Sequence, residues 1–206
     1  MLCLLAWRII MYKTQMIIQK IVCFAVLAAA VLVFVYSLGM VTDLHYNNLT
    51  LYSEDPESFL YVEGTDIYLK IQPFNKELTV AGLYLILSAL LLFIFGSHKR
   101  RRYYIGNYAA TGINSALTVG VSVWGIRNVA LYKEMYNDID FEHLSELQKM
   151  FSVDSKPYEP TTFWFDIGFV VFGIAIAVAV LSLISVGFKI YVMCAERKLL
   201  KEGEHE

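Results

Sequence analysis

Four long stretches of this 206-residue chain contain no Asp, Glu, Lys or Arg. They are residues 21–42, 78–97, 103–126 and 167–188. As a helix rising about 1.5 Å per residue, each stretch is long enough to cross about 30 Å of hydrocarbon. With 57% hydrophobic residues and a mean hydropathy of +0.52, this absence of charge predicts an all-α integral membrane protein with four spans.

Cysteine and proline are also scarce. The three cysteines, Cys3, Cys23 and Cys194, fall outside both long loops that separate the spans, so those loops have no disulfide. The four prolines, at positions 56, 73, 157 and 160, all lie in the predicted outer loops and none lies in a span. We therefore expect no span to be broken to form a binding site at the middle of the membrane.

Motifs of catalysis are missing as well. The sequence has no HExxH, no Gly-x-Ser-x-Gly, no P-loop and no pair of aspartates within the spans. Its four histidines, at positions 45, 98, 143 and 205, are scattered over both predicted sides of the membrane, which argues against a shared metal site. We expect a protein that is not an enzyme and that has no cofactor.

A short basic block lies between the second and third stretches. It comprises His98 and the four charged residues Lys99, Arg100, Arg101 and Arg102. Loops rich in Lys and Arg stay on the cytoplasmic side during insertion, so the block predicts that this loop and both termini are cytoplasmic. The segments then assigned to the cytoplasm hold 11 Lys/Arg and 4 acidic residues, whereas the outer segments hold 6 and 15.

The predicted architecture is an up-down bundle of four transmembrane helices in the cytoplasmic (plasma) membrane. Its spans are residues 17–42, 78–97, 103–127 and 163–190, and the whole chain is one membrane domain. The outer loops are residues 43–77 and 130–161, the cytoplasmic loop is 98–102, and the cytoplasmic tail is 194–206. The charge distribution argues against nucleic acid as a partner.

Each outer loop contains one segment with local order. Residues 59–71 have β-branched and aromatic flanks around Gly64, which slightly favours a hairpin over a short interfacial helix that starts at Asp66. Residues 140–151 place Phe141, Leu144, Leu147 and Phe151 on one face, with acidic residues early. This pattern predicts a short amphipathic helix.

The third span carries a row of polar side chains. Asn107, Thr111, Asn114, Thr118 and Ser122 recur every three or four residues and therefore share one face of a helix. Hydrocarbon cannot satisfy an amide, so this face should contact protein or water. A seam between helices is the favoured interpretation; the lining of a solute path is the alternative, and it is weakened because no ionisable residue falls at the predicted midplane.

Two further groups of charges have candidate roles. Arg127, at the end of the third span, and Asp166, at the start of the fourth, are predicted to lie at similar depth, where an ion pair or two independent charges are equally compatible with the sequence. Lys99, Arg100, Arg101 and Arg102 set the topology and attract anionic lipid headgroups, at about 1 kcal/mol per charge.

The sequence favours a non-catalytic protein that acts by association, as an accessory or assembly subunit of a larger membrane complex. Its partners would be membrane lipids and either other membrane subunits or further copies of itself. Aromatic residues in the outer loops are of the kind that anchor interfaces. The alternative is a small oligomeric transporter or channel that uses the polar row of the third span.

Overall fold

The computed structural model describes residues 2–54, 67–96, 104–143, 146 and 161–203. Four long helices account for most of them: α1 Leu2–Glu54, α2 Ile67–Gly96, α3 Tyr104–Asn137 and α4 Phe163–Gly203. Each contains a segment long and apolar enough to cross a membrane: Lys13–Gly39, Lys70–Phe95, Ile105–Asn137 and Phe163–Ala195. The prediction of an all-helical, membrane-embedded protein with four such helices is confirmed.

The helices are longer than the predicted spans. α1 continues through residue 54 and α2 begins at residue 67, so the described parts of the predicted loop 43–77 are helical. α3 and α4 likewise extend beyond residues 127 and 190. Helices satisfy their backbone hydrogen bonds internally, so they can continue past the point where the sequence ceases to be apolar. Hydropathy located the apolar cores of the helices but not their ends.

The predicted hairpin is wrong where the structure describes it. Ile67–Ile71, assigned to its second strand, form the first residues of α2, a helix of 30 residues and not the short interfacial helix of the alternative. Residues 59–66 lie outside the described range. Pro73 is therefore inside a helix, contrary to the expectation that every proline lies in a loop. Proline has no N–H to bond the Leu69 carbonyl, four residues earlier. In the same turn, the Lys70 carbonyl accepts a 3.0 Å hydrogen bond from the Tyr132 hydroxyl.

The structure describes only part of the segment 140–151, for which an amphipathic helix was predicted. Residues 141–143 are helical, and Asp140 Oδ1 accepts a 3.0 Å hydrogen bond from the His143 backbone N–H. An aspartate in this position satisfies an N–H group that has no partner in the first helical turn. Of the later residues only Glu146 is described, and it is helical. The remainder of the predicted helix, and the basic loop 98–102, lie outside the described residues.

The chain divides into two compact units, and every helix contributes residues to both. One comprises Met1–Ala30, Tyr84–Gly120 and Ile174–Glu206. We call it the polar unit, because ten of its buried residues carry polar or charged side chains: Gln15, Gln19, Asn107, Thr111, Asn114, Ser115, Thr118, Ser182, Ser185 and Lys189. Small or aliphatic residues such as Ala89, Ala175 and Ala179 fill the rest of its described interior.

The other unit comprises Val31–Leu83 and Val121–Gly173, and its interior is mainly aromatic and aliphatic. We call it the aromatic unit. Tyr36 and Phe172 meet edge to face at 5.7 Å between ring centroids, and Tyr136 and Phe165 lie 5.4 Å apart. Such aromatic pairs contribute about 0.5–1.5 kcal/mol beyond the burial of their area.

Glycines make room for these rings. A Cβ atom added at Gly168 would collide with the Tyr36 hydroxyl, and one added at Gly125 would collide with the Phe172 ring. At Gly82 it would lie 3.0 Å from the Phe34 Cα atom, so two helix backbones approach closely there. Small residues permit this close approach in membrane helices.

We predict that Gly125→Ala and Gly168→Ala each lower the free energy of unfolding by about 1–3 kcal/mol, because an added methyl group overpacks the aromatic unit. Gly112→Ala is the matched control. A Cβ atom at Gly112 meets no atom within 4 Å, and alanine favours helix by about 1 kcal/mol, so this variant should be no less stable than wild type. Unfolding of the purified protein in detergent measures all three; equal losses would contradict the packing argument.

Candidate functional site

The polar row of α3 faces the interior of the chain. Its five members are between 0% and 8% exposed: Asn107, Thr111, Asn114, Thr118 and Ser122. The first four belong to the polar unit, whereas Ser122 belongs to the aromatic unit. Because the membrane interior offers no hydrogen bonds, burial against other helices of the same chain is the arrangement expected of a seam.

Hydrogen bonds join this row to neighbouring helices within the polar unit. Asn114 Nδ2 donates to Ser88 Oγ of α2 over 2.7 Å, and the hydroxyls of Ser115 and Ser182 are 2.8 Å apart between α3 and α4. Ser115 is the member of this network that the three- and four-residue periodicity missed. Bonds of this kind contribute about 0.6 kcal/mol on average and up to about 1.7 in membrane proteins.

Threonines of the row bond to their own helix instead. The Thr111 hydroxyl donates to the Asn107 carbonyl and the Thr118 hydroxyl to the Asn114 carbonyl, each over 2.8 Å. Among the described residues, Asn114 Oδ1 and Ser122 Oγ are buried polar atoms with no hydrogen-bond partner. The row is therefore not uniform: its asparagines and Ser115 connect helices, whereas its threonines satisfy themselves locally.

Lys189 is the most unexpected residue of this site. It lies within the candidate span of α4, is only 4% exposed, and its Nζ donates to Asn107 Oδ1 over 2.9 Å. The same Nζ lies 5.7 Å from the centroid of the Tyr108 ring. Lys189 immediately follows the fourth uncharged stretch, and the sequence prediction assigned it to the cytoplasmic charges. Its spacing from Ser182 and Ser185, seven and four residues, was the signal that it shares their helix face.

A small pocket surrounds the Lys189 side chain within the polar unit. Its polar lining comes from three helices: Gln19 and Cys23 of α1, Asn107 and Thr111 of α3, and Ser182, Ser185 and Lys189 of α4. The open volume is about 10 Å³, close to the least that holds one water molecule. Val22, Leu92 and Val186 complete the lining, so the space is bounded by both polar and aliphatic side chains.

Asp166 was one of the charges considered for an ion pair with Arg127. In the structure it pairs with Lys133. Lys133 Nζ lies 2.6 Å from Asp166 Oδ1, and the Thr162 hydroxyl donates to Asp166 Oδ2 over 2.8 Å. Lys133 follows Arg127 by six residues, or about 9 Å along a helix, so similar predicted depth did not identify the partner. The pair is largely exposed, and exposed pairs contribute only about 0.2–1 kcal/mol.

Among the described residues, no group of three His, Cys, Asp or Glu side chains is placed to hold a metal ion. The basic block Lys99–Arg102 lies outside the described range, so its expected contact with lipid headgroups stays a prediction. What the described residues bring together is a cation, two amides and several hydroxyls around a small space.

We predict that Asn107→Leu destabilises the protein by about 1–3 kcal/mol, because it removes a neutral acceptor from a buried ammonium group. Replacing both partners, Asn107→Leu with Lys189→Met, should recover most of that loss, since two apolar side chains leave no unmet polar group. Asn128→Leu is the matched control, because Asn128 bonds only its own helix at Trp124 O among the contacts described. Unfolding in detergent measures the stability of each variant. A double variant that loses as much stability as the two single substitutions added together would contradict the prediction.

Comparison with known proteins adds no relative from which residues or roles carry over. No protein-family model, no curated protein and no solved structure matches this chain.

Proposed function

We propose that this chain is a non-catalytic four-span membrane protein that acts by association, as an accessory or assembly subunit of a larger membrane complex. The observation that carries the proposal is the burial of the α3 polar row. Asn114 bonds to Ser88 of α2 and Asn107 to Lys189 of α4 within the same chain, and Asn107 and Lys189 line a space of about 10 Å³. These side chains act as a seam that holds the helices together.

The outward faces of the helices support this proposal. Only 28% to 39% of the most apolar part of each span is buried within the chain, so most of that surface is available to lipid or to other membrane proteins. The exposed surface of α3 includes Gly112 and Gly120, where an added Cβ atom meets nothing within 4 Å. The fold therefore does not need glycine at these positions for its own packing.

Purification of the full chain from its native membrane in mild detergent, followed by mass determination, tests the proposal. A different protein present in fixed stoichiometry is the expected result. Gly112→Leu and Gly120→Leu probe the contact without filling the interior, and association should weaken in at least one of them. Ile113→Leu is the matched control, because Ile113 is exposed and already carries a large side chain. A chain that purifies alone as a monomer would contradict the proposal.

The second candidate is a small oligomeric transporter or channel, and one observation favours it. The polar unit buries Gln15, Gln19 and Lys189 together with the α3 row, which is more polar than a packing seam requires. Under this alternative the same purification gives a homo-oligomer, and the reconstituted oligomer supports solute flux. Flux without a foreign partner would select the transporter over the accessory subunit.

The orientation proposed here is an up-down bundle in the plasma membrane with both termini and the 98–102 loop cytoplasmic. α2 ends at Gly96 and α3 begins at Tyr104, so the basic block directly joins two apolar helices, the arrangement to which the positive-inside bias applies.

In a cysteine-free background, His98→Cys should resist a membrane-impermeant maleimide applied to intact cells, because the loop is cytoplasmic and the substitution leaves its four charges in place. Glu142→Cys, at an exposed residue near the start of the predicted outer helix, is the matched control and should react. Labelling after permeabilisation shows that position 98 is chemically accessible. Labelling of residue 98 in intact cells would contradict this orientation and indicate the opposite one.

A further inference from the structure

Two opposite charges lie on the surface of α3 near its C-terminal end. Arg127 and Glu134 are both exposed, and both belong to the candidate span Ile105–Asn137 and to the aromatic unit. The carboxylate of Asp166 is already engaged by Lys133 and Thr162. Within the part of the chain that the structure describes, Arg127 and Glu134 have no ion-pair partner.

Helix geometry keeps these two charges on the outside of the chain. Residues seven apart lie two turns apart on one face, about 10 Å along the axis, so Arg127 and Glu134 share a face. The inward face at this level is formed by Ser122, Val129 and Tyr136, which are 0% to 2% exposed. Arg127 follows Ser122 by five residues, or about 140° around the helix. A rotation that turned Arg127 inward would therefore expose these buried side chains.

Apolar side chains lie between and beside the two charges. Leu131 is 52% exposed and Val123 is 48% exposed, and Ala130 is exposed as well. We call these five residues, Val123, Arg127, Ala130, Leu131 and Glu134, the charged face of α3. An apolar centre with a polar rim is the composition of a protein interface, where Arg is enriched. The Arg guanidinium also matches a carboxylate, to which it can donate two parallel hydrogen bonds.

A second copy of this chain does not suit the charged face. Copies inserted in the same direction can form a twofold dimer only about an axis along the membrane normal, which brings the same residue of each copy to the same depth. Arg127 would then lie opposite Arg127, and Glu134 opposite Glu134, and such like-charge contacts are unfavourable. An anionic lipid headgroup suits the face only in part, because Glu134 repels it. The two charges together favour a partner with the complementary pair.

We propose that the charged face of α3 binds a helix of a different membrane protein, which carries Asp or Glu at the depth of Arg127 and Lys or Arg at the depth of Glu134. The partner's acid accepts hydrogen bonds from the Arg127 guanidinium, and apolar side chains between its two charges pack against Leu131. This inference rests on the association proposed above and adds to it the contact surface and the chemistry of the partner.

Photocrosslinking of the full chain in its native membrane tests the proposal, with p-benzoylphenylalanine in place of Leu131. The expected product is an adduct with a different protein, and mass spectrometry identifies the segment of that protein that is attached. This segment should carry an acidic and a basic residue about seven positions apart, because that spacing matches Arg127 and Glu134 on a parallel or antiparallel helix.

Charge variants then test whether the ion pair forms. Arg127→Glu should lower the yield of the adduct about tenfold or more, because two carboxylates then lie opposite each other. Lys76→Glu is the matched control, since Lys76 is an exposed cation of α2 in the same unit, and it should leave the yield unchanged. Exchange of the partner's acid for Arg should restore the adduct with Arg127→Glu, which a folding defect would not permit.

The failures of this inference and of the association itself are distinguishable. An adduct only with a second copy of the chain or only with lipid would overturn the charged face as the contact, as would a yield that Arg127→Glu leaves unchanged. If the wild-type chain nevertheless purifies with a different protein in fixed stoichiometry, the association stands and the contact lies elsewhere. A wild-type chain that purifies alone as a monomer overturns both.

Discussion

The constraint on which this structure depends is that hydrocarbon offers no hydrogen bonds. Polar side chains within a span are therefore stabilised by partners in the protein, and the contact between Lys189 and Asn107 is the most demanding case. An ammonium group 4% exposed is tolerated where a carbonyl oxygen at 2.9 Å receives it and where an aromatic ring lies nearby. This contact fixes the register of α4 against α3, because a helix that slipped by one turn, about 5.4 Å, would lose it.

The two units meet the same constraint with different chemistry. In the polar unit, small side chains such as Ala89 and Ala179 leave space in which amides and hydroxyls reach one another across helices. In the aromatic unit, rings fill the interior and glycines receive them, as Gly168 receives Tyr36. Close packing is achieved in both, but in one the specificity comes from hydrogen-bond geometry and in the other from shape.

Much of this architecture could be predicted because hydrocarbon excludes charged side chains from the spans, and this exclusion is visible in the sequence. Four uncharged runs predict four helices, and polar residues repeating every three or four positions predicted a buried face of α3. The burial of Lys189 was not predicted, because a charge that follows an uncharged run is ordinarily counted outside the span. This burial depends on residues of α1 and α3 that are distant in sequence. Lys133 was not identified as the partner of Asp166, because depth in the membrane does not specify which helix face a side chain occupies. Residues 67–71 were misassigned because β-branched and aromatic composition is only a weak local preference.

The burial pattern of α3 distinguishes a polar face, which lies inside the chain, from an outer face, which is exposed. The sequence alone does not show which of the two would contact a partner. Had the polar row been made to recruit a partner, it would face outward, because polar contacts between chains must lie on the surface of each. Instead Asn107 and Asn114 point into the chain, and the residues left on the surface include Gly112 and Gly120. A helix whose amides form hydrogen bonds inside the chain can associate through its outer face, because it exposes no unbonded amide to lipid before assembly. The burial of the polar row thus keeps its amides away from lipid, as the association proposed above requires of a chain that enters the membrane before it assembles.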